Sequence, residues 1–410
     1  MKPSNMLNML GFGKLGFGTL GFGLSAALAT VAHAGGFAVT EQTAVSSGTG
    51  GAGVARADDP GAAWHDPAAL ADGGGWRFDL SLIVARPSLE ARALDGSWAA
   101  STDAGWSTPP HLDLSYAHDR WAAGVSLGVP FGSGVTWPTT WPGRHEIVAT
   151  ELQVFRAAPF VAWSFGKLRV AAGAHADFGR LQIARDLDFI DLEGDVAIDM
   201  DGHGFGVDAS AFYQARPELT FGAAYRGRTR LPVHGGANFT APDAFSDKIA
   251  DQAAQSELVL PDQLAVGGRY QRGSYAALAE LELTMWSTTK QLVVDFAQTT
   301  TPDVMQDQRW HNTVALRAGG EWTRRKLTLR HGTYLEQSPA PADRLAPSSP
   351  DSTRLGLSAG ASWRFDRTWS VDGFVESMWL LRRDTTDMDS LQASYGGHAM
   401  LAGLGLRWTP

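Results

Sequence analysis

From residue 76 onward, apolar and polar side chains alternate along successive short segments of the chain. In residues 355–365, Leu, Ala, Trp and Phe occupy one side of the alternation, while Gly, Ser and Arg occupy the other. Residues 275–285 and 398–408 follow the same pattern. Because successive side chains of a β-strand point to opposite faces, a period of two predicts β-strands.

The alternation identifies fifteen candidate strands, separated by two kinds of connection. The candidates are 75–87, 106–118, 120–130, 150–165, 167–184, 203–215, 217–233, 257–271, 274–286, 289–297, 311–323, 326–336, 352–365, 367–381 and 395–408. Short turns lie at 117–120, 165–167, 214–218, 271–273, 323–326 and 365–367, and long polar loops at 88–106, 186–200, 235–255, 337–351 and 384–393. Short turns at one rim and long loops at the other are typical of outer-membrane barrels, whose short turns are periplasmic.

The distribution of side chains between the two faces favours a membrane barrel over a soluble fold. Trp and Leu lie on the apolar face of the candidate strands, and Gly, Ser, Glu and Arg lie on the opposite face. A soluble sandwich, or a repeat of small β domains, is the alternative, but it should place polar residues outside. Near the segment ends we expect aromatic girdles at the membrane interfaces, formed by Trp137, Trp141, Trp286, Trp363, Trp379 and Trp408.

We therefore predict an all-β fold, a transmembrane antiparallel β-barrel of about 14 strands. Single-chain bacterial barrels have an even number of strands, so one of the fifteen candidates is expected to be wrong. The weakest candidate is 289–297, which is expected either to be a separate strand or to extend its neighbour across a bend.

Residues 1–34 have the pattern of an export signal. Lys2 and Lys14 supply charge, residues 15–31 are apolar and Gly-rich, and Ala32-His33-Ala34 provides small residues around a cleavage site. This arrangement predicts a secretory signal peptide cleaved after Ala34. The alternative is an uncleaved transmembrane helix, but this density of Gly disfavours a helix and no stop-transfer charges follow.

Residues 35–74 do not alternate and are predicted to form a small N-terminal hatch. Asp58 or Asp59 can cap a short helix with Pro60 at its first position, and Asp66-Pro67 repeats this arrangement. The segment cannot face lipid, because its backbone would lack hydrogen-bond partners there. It is therefore expected in the periplasm or inside the barrel as a plug, with the transmembrane barrel formed by residues 75–410.

Composition excludes several classes of protein. The 410 residues contain 34 Lys and Arg against 43 Asp and Glu, so no basic face for nucleic acid is expected. The absence of Cys excludes a disulfide scaffold, Cys-ligated zinc, iron–sulfur clusters and thiol catalysis. The 11 His residues show no metal-site spacing, and no nucleophile elbow or phosphate loop is present. We therefore expect no enzyme, no metal and no cofactor; a lipase with Ser and His on adjacent strands is not excluded.

Several stretches in order resemble the FadL/TodX-type outer-membrane transporters of long-chain fatty acids and other hydrophobic compounds. They are Gly35-Gly36-Phe37, 57–59, 66–70, 129–132 leading to 141–144, 260–262, 286–287, and 334 through 338–341. The resemblance covers essentially the whole mature chain. It implies a 14-stranded barrel with an N-terminal hatch that includes Gly36, Phe37, Asp58, Asp59, Asp66, Pro67 and Ala68.

The resemblance also implies a route for the ligand. A hydrophobic ligand is captured among the extracellular loops, enters an apolar site and leaves sideways where the third strand kinks inward. Pro130, Phe131 and Gly132 lie where that kink belongs. Independently, Pro removes a ladder donor and Gly weakens a strand, so a break or bulge is expected there. The alternative is that Pro130 simply ends the strand at a loop.

Two features depart from the family pattern. Asp66 replaces the usual Asn of the hatch motif, so the turn should survive through Asp capping while the amide donor is lost. The chain ends Trp408-Thr409-Pro410 without the terminal Phe usual in barrel assembly signals, and Trp408 is the candidate to serve in its place.

For ligand capture we selected one aromatic residue and three cations that could meet a carboxylate head group. They are Trp141, Arg144, Arg317 and Arg330. The alternative for each Arg is a solvated or lumenal salt bridge. The expected function is passive uptake of hydrophobic molecules by a monomer in the Gram-negative outer membrane, in contact with lipid, lipopolysaccharide and the barrel assembly machinery. The alternatives are a general diffusion porin for polar solutes and a surface adhesin or structural barrel.

Overall fold

The computed structural model of the protein describes residues 36–189, 192–245, 249–386 and 391–409. The predicted signal peptide, residues 1–34, lies outside the described residues. Within the described ranges, every helix is too short or too polar to cross a bilayer.

Nineteen β segments form one antiparallel sheet that closes on itself. Their bounds are β1 Gly73–Ala93, β2 Ala99–Ser101, β3 Pro110–Asp119, β4 Trp121–Thr136, β5 Ala149–Phe165, β6 Leu168–Asp188, β7 Glu193–Arg216, β8 Leu219–Arg226, β9 Thr229–Thr240, β10 Gln252–Leu260, β11 Gln263–Arg272, β12 Tyr275–Thr284, β13 Gln291–Phe296, β14 Val304–Asp307, β15 Thr313–Arg324, β16 Leu327–Glu336, β17 Arg354–Arg364, β18 Trp369–Asp384 and β19 Ala393–Trp408. Closure occurs at β1, which pairs with β3 on one side and β19 on the other.

The nineteen segments make fourteen strands, which confirms the predicted barrel. Five strands are each broken into two collinear segments, namely β2 with β3, β8 with β9, β10 with β11, β12 with β13, and β14 with β15. The doubtful candidate 289–297 contains β13, which continues β12 after a 3₁₀ turn at Trp286–Thr288. It therefore extends its neighbour across a bend, and the separate strand is wrong.

Other predicted boundaries are wrong at the long-loop end of the barrel. β1 runs to Ala93 and β7 begins at Glu193, both inside segments predicted as loops. β2 and β14 were not predicted at all. In the extensions of β1 and β7 the alternation is reversed relative to a membrane strand, because apolar residues such as Leu89 and Ile198 face inward while polar residues such as Glu90 and Asp199 face outward.

The outer face of the wall is apolar, and aromatic residues lie near both ends of its strands. Trp363 and Trp379 are exposed on this face, as predicted for a girdle, and Trp408 is half-buried. Trp137, Trp141 and Trp286 are instead buried, so their assignment to a girdle is wrong. Trp137 and Trp141 belong to the loop after β4, which folds over the lumen, and Trp286 follows the lumenal side of the β12 alternation, on which Glu282 and Thr284 lie.

The lumen changes in character along the barrel axis. Its long-loop half holds two apolar clusters, one around Trp137 and Tyr395 and one around Phe131 and Trp286. The short-turn half holds buried charged side chains, among them Arg56, Glu280, Glu321, Arg330 and Asp372, and a third apolar cluster in which residues 62–71 pack against the wall. The apolar space that a ligand could occupy therefore lies in the half next to the long loops.

Candidate functional site

The residues before β1 cross the lumen. Helix α1 (Ala44–Ser47) is capped by Thr43, whose hydroxyl accepts from the Ser46 N–H at 3.1 Å. It packs against β17, β18 and β19, whereas the 3₁₀ helix Pro67–Leu70 packs against β5, β6 and β7. Between them, helix α2 (Ala62–His65) contacts β3 and β4. These contacts with opposite parts of the wall place residues 36–72, here called the hatch, inside the barrel.

The hatch approaches the wall closely enough to require glycine. Gly50 has φ +68°, and a Cβ at this position would lie 2.7 Å from the backbone nitrogen of Thr333. The N–H groups of Gly53 and Val54 each donate to the Glu280 carboxylate at 2.9 Å. A side chain at Gly50 would therefore force the hatch away from β16.

Buried ion pairs hold the hatch to the wall. Glu321 on β15 accepts from Arg56 of the hatch at 2.8 Å, from Arg330 at 2.8 Å and from Arg269 at 3.2 Å. Arg407 pairs with Asp372 and lies 3.7 Å from Asp59 of the hatch. Because these charges are shielded from water, each depends on its partner for stabilisation.

The acidic residues of the hatch occupy different environments. Asp59 is buried, and its carboxylate accepts from the Gly61 N–H at 3.1 Å at the start of α2. Asp58 is exposed and lies 3.2 Å from Arg269. Helix α2 begins at Ala62 with Gly61 as its N-cap and no side-chain cap, so the predicted cap by Asp58 or Asp59 with Pro60 at the first position is wrong, and Asp59 instead closes the turn before the helix.

Asp66 does not cap the 3₁₀ helix that follows it, so that expectation is wrong. Pro67 occupies the first position, as predicted, but the Ala68 N–H donates to the hydroxyl of Ser210 on β7 at 3.0 Å. Neither oxygen of the buried Asp66 carboxylate has a hydrogen bond of normal geometry. Burial raises the pKa of Asp66 to about 7, against the smaller opposing effects of Ser210 and nearby backbone N–H groups.

A bulge in β4 interrupts its pairing with the wall. Gly128 pairs with Arg156 and Phe131 with Val154, so three steps along β4 match two along β5. On the opposite edge, pairing with β3 ends at Leu127, and no described strand pairs with β4 from Gly128 to Val135. At the end of β4, beyond this interval, the Asp103 N–H donates a hydrogen bond to the Thr136 carbonyl at 2.9 Å. β4 thus continues through Pro130, and the alternative that Pro130 ends the strand is wrong.

The start of the hatch occupies the edge that β3 leaves free. The Val39 N–H donates to the Pro130 carbonyl at 2.9 Å, and the Gly132 N–H donates to the Phe37 carbonyl at 2.8 Å. The Gln42 amide donates to the Val129 carbonyl at 2.9 Å. At this level β4 is therefore joined to the hatch instead of to β3.

Phe37 anchors the same segment in an aromatic cluster. Its ring lies 4.7 Å from Trp286, 5.5 Å from Trp310 and 5.9 Å from Phe131, measured between ring centroids. Gly36 has φ +68°, and a Cβ there would lie 2.5 Å from the Trp286 ring. Phe37 therefore contacts the bulged strand, and Gly36 lies against Trp286 in the apolar half of the lumen.

A cavity of about 650 Å³ lies above this cluster, within the long-loop half of the barrel. Its apolar lining includes Phe37, Leu152, Leu181, Ile198, Val294 and Trp310. Residues 346–349 of the loop after β16 cover it, and the Trp137 indole donates to the Pro347 carbonyl at 3.0 Å. This volume lies within the range of about 300–1,000 Å³ typical of small-molecule sites.

Comparison with known proteins identifies the family. The family model described as outer membrane protein transport protein (OMPP1/FadL/TodX) matches residues 25–409. The chain belongs to this family. The resemblance to FadL/TodX-type transporters seen in the sequence is thereby confirmed.

The similar proteins include transporters of two kinds. The long-chain fatty acid transport proteins of Salmonella typhi and Escherichia coli K12 are 25% identical over 395 residues and 24% over 406, covering 86% of this chain and 89% and 90% of theirs. A Pseudomonas aeruginosa FadL homologue superposes with a TM-score of 0.78 at 19% identity, covering 91% of this chain and 98% of its own. The toluene transporter TodX of P. putida has a TM-score of 0.76 at 18% identity, covering 91% and 99%. These structures share the fold.

In this FadL/TodX-family chain, the predicted ligand-binding residues lie outside the cavity lining. Trp141 is buried, stacks on Trp137 at 4.6 Å and donates to the Ile147 carbonyl. Arg144 is partly exposed and pairs with Asp186 at 3.4 Å and Glu193 at 2.7 Å.

Arg317 and Arg330 face the lumen, as predicted, but both lie in the charged half. Arg317 is 3.4 Å from Glu336, and Arg330 bonds to Glu321. The salt-bridge alternative therefore describes the surroundings of all three arginines, including Arg144.

Arg185 and Arg344 line the cavity but were missed by the sequence analysis. Arg344 pairs with Asp307 at 3.1 Å. The guanidinium of Arg185, by contrast, has no hydrogen bond or ion pair with any described residue. The alternation did carry the necessary information, since Leu181 and Ile183 share the lumenal face with Arg185. The predicted strand ended at residue 184, one residue before Arg185, whereas β6 continues to Asp188.

The described ranges contain no cluster of three His, Asp or Glu residues placed to hold a metal ion.

Proposed function

We propose that the protein carries hydrophobic small molecules, either long-chain fatty acids or aromatic hydrocarbons, passively across the Gram-negative outer membrane. The fatty acid transport proteins and toluene transporters to which the chain is similar support this substrate class. The observation that carries the proposal is the edge of β4 from Gly128 to Val135, which β3 leaves unpaired and the start of the hatch occupies, beside an apolar cavity.

In this proposal the ligand is captured at the extracellular loops and enters the cavity above Phe37. A path straight down would cross the buried ion pairs of the hatch, where an apolar molecule would separate charges that have no access to water. A sideways path between β3 and β4 leads into lipid, in which an apolar molecule is stable. Release is therefore lateral, at the bulge that contains Pro130.

The proposal also covers how the chain is organised and what surrounds it. Residues 1–34 form the cleaved signal peptide, 35–74 the hatch and 75–410 the barrel. The protein acts as a monomer among outer-membrane lipid and lipopolysaccharide, after insertion by the barrel assembly machinery. The direction of transport is set by removal of the ligand downstream, because a passive channel supplies no energy of its own.

Deletion of Pro130 tests the lateral route. Removing one residue of the bulge lets β4 continue in register with β5 and reach β3, which closes the free edge. We expect cells with the wild-type protein to take up labelled oleate or labelled toluene, and cells with the deletion to take up no more than cells lacking the protein. The matched control is deletion of Ala215, the extra residue of a second bulge in β7 near the short turns, which should leave uptake unchanged.

The same assay separates the alternatives. Wild-type cells that take up neither compound but admit small sugars would establish a general porin. Cells that take up neither compound and admit no sugar would establish an adhesin or structural barrel. Uptake that persists after deletion of Pro130, with the barrel correctly assembled, would contradict lateral release at β4.

A second prediction concerns Arg185 and distinguishes ligands that carry a carboxylate from uncharged aromatic ligands. A carboxylate in the cavity would gain a charge-assisted hydrogen bond from Arg185, worth about 1.5–3 kcal/mol. We expect Arg185→Gln to weaken oleate binding about tenfold or more and to leave toluene uptake unchanged. The control is Arg180→Gln on the same strand, because Arg180 is half-exposed and bonds to Asp199. Equal loss of oleate and toluene would show that Arg185 supports the structure instead of the head group.

A further inference from the structure

The barrel wall has a second interruption, between β10 and β13. These segments pair only at Ala254 with Phe296 and at Gln255 with Asp295. No ladder joins residues 256–261 to residues 286–294, all of which are described. Pairing resumes where the Met285 N–H donates to the Asp262 carbonyl at 2.8 Å.

Local sequence explains why the two segments part. Pro261 has no N–H to donate, and the 3₁₀ turn Trp286–Thr288 takes the opposite chain out of strand geometry. Two side-chain bonds replace the lost ladder: the Ser256 hydroxyl donates to the Val293 carbonyl at 2.6 Å, and the Thr289 hydroxyl to the Val259 carbonyl at 3.4 Å. The gap is therefore bounded and held by its own contacts.

The cavity reaches this gap. Successive residues of β10 point to opposite faces of the wall, and Leu258 is buried while Glu257 is exposed. If the wall were continuous here, a cavity in the lumen would contact Leu258 but not Glu257, which points away from the lumen. The cavity instead contacts Glu257, Leu258 and Val259 together with Gln291 and Leu292 across the gap. It therefore extends between the two segments.

The top of the cavity is closed by bonds between loops and strand ends. Gln306 on β14 donates to the Ser348 hydroxyl at 2.9 Å, and Arg344 pairs with Asp307 at 3.1 Å. The Trp137 indole holds Pro347 from the opposite side. Entry between the loops would therefore require these contacts to break.

The gap lies at the level of the outer lipid boundary. Tyr275 is exposed at the short-turn end of β12, and Leu281 is exposed on the same outer face. A transmembrane β-strand has about 9–11 residues, so the far boundary of the bilayer falls near Met285. The gap begins immediately beyond this residue, next to the head groups of the outer leaflet.

We propose that the gap between β10 and β13 is an entry portal through which hydrophobic molecules pass from the outer leaflet sideways into the cavity. The proposal rests on the transport function proposed above and specifies its entry step: a ligand captured at the extracellular side enters the cavity through the gap instead of between the loops, whereas the bulge in β4 concerns release. An apolar molecule concentrated in lipid then reaches the apolar cavity without crossing water. The cavity becomes a passage between two interruptions of the wall.

The absence of cysteine allows a direct test. Val259→Cys introduces a unique thiol at the lining of the gap. After reaction of intact cells with a maleimide-linked polyethylene glycol, we expect uptake of labelled toluene to fall to the level of cells lacking the protein. Arg92→Cys, an exposed position at the long-loop end of β1, is the control, and its modification should leave uptake unchanged.

A second thiol position makes the result independent of one variant. Gln291→Cys lies on the opposite side of the gap and is exposed. The portal is disproved if modified Val259→Cys and Gln291→Cys cells still take up toluene, or if neither thiol reacts in intact cells. Deletion of Pro130 assayed in parallel keeps the two proposals apart, because uptake that survives modification but is lost on deletion removes the portal and retains lateral release.

Discussion

Replacing Glu321 with alanine is expected to free the hatch and make the barrel permeable to polar solutes. The Glu321 carboxylate accepts hydrogen bonds from Arg56, Arg330 and Arg269, and its side chain is 5% exposed. Without it, buried guanidinium groups lose their shared counter-charge. Breaking a buried ion pair by removing one partner costs about 3–5 kcal/mol. Because Arg56 belongs to the hatch, this loss weakens the attachment of the hatch to the wall.

Two measurements check this result in cells and in purified protein. Entry of a hydrophilic antibiotic should rise in cells with Glu321→Ala, and protease cleavage at Arg56 should become faster in the isolated barrel. Glu90→Ala is the matched control, since Glu90 also pairs with arginines but at an exposed site, where an ion pair contributes only about 0–1 kcal/mol. Equal permeability of the two variants would mean that the ion pairs are not what retains the hatch.

The barrel could be predicted from sequence because its main determinant is local. A strand between lipid and a polar lumen must alternate, so β12 and β17 were recognised from their own residues. The hatch was recognised for the complementary reason, since residues 36–72 lack the alternation. Even the doubtful segment 289–297 was described correctly by one of its two alternatives, the continuation of β12.

The details of the site depend on pairing between distant segments, which alternation does not specify. Arg317 and Arg330 were assigned to the correct face, but their carboxylate partners on neighbouring strands depend on register. Trp286 was assigned to a girdle because it lies at the end of a candidate strand, although the alternation of β12 places it on the lumenal side with Glu282 and Thr284, where it is buried. The two wall interruptions are likewise properties of strand pairs and leave no pattern in either strand alone.

Asp66→Asn tests how a buried carboxyl makes the stability of the folded hatch depend on pH. Asp66 is completely buried, and burial raises its pKa from 3.8 to about 7. The charged neighbours that act on it are Arg226 on β8 and Arg169 on β6, and neither forms an ion pair with it. Asparagine has nearly the same shape without a charge. We expect the variant to stabilise the folded hatch above pH 7 and to have little effect at pH 4.

The sign follows from the linkage between proton binding and folding. Between about pH 4 and pH 7 the folded hatch retains a proton on Asp66 that the unfolded chain has released, so the free energy of unfolding decreases as the pH rises. A difference of about three pKa units corresponds to a loss of about 4 kcal/mol, complete above pH 7. Protease cleavage of the hatch, measured from pH 4 to pH 8, should therefore accelerate with pH in the wild type and much less in Asp66→Asn. Asp58→Asn, which removes an exposed carboxyl of the same hatch, should behave like the wild type; if it flattens the profile as much as Asp66→Asn does, the pH dependence does not arise from the buried carboxyl.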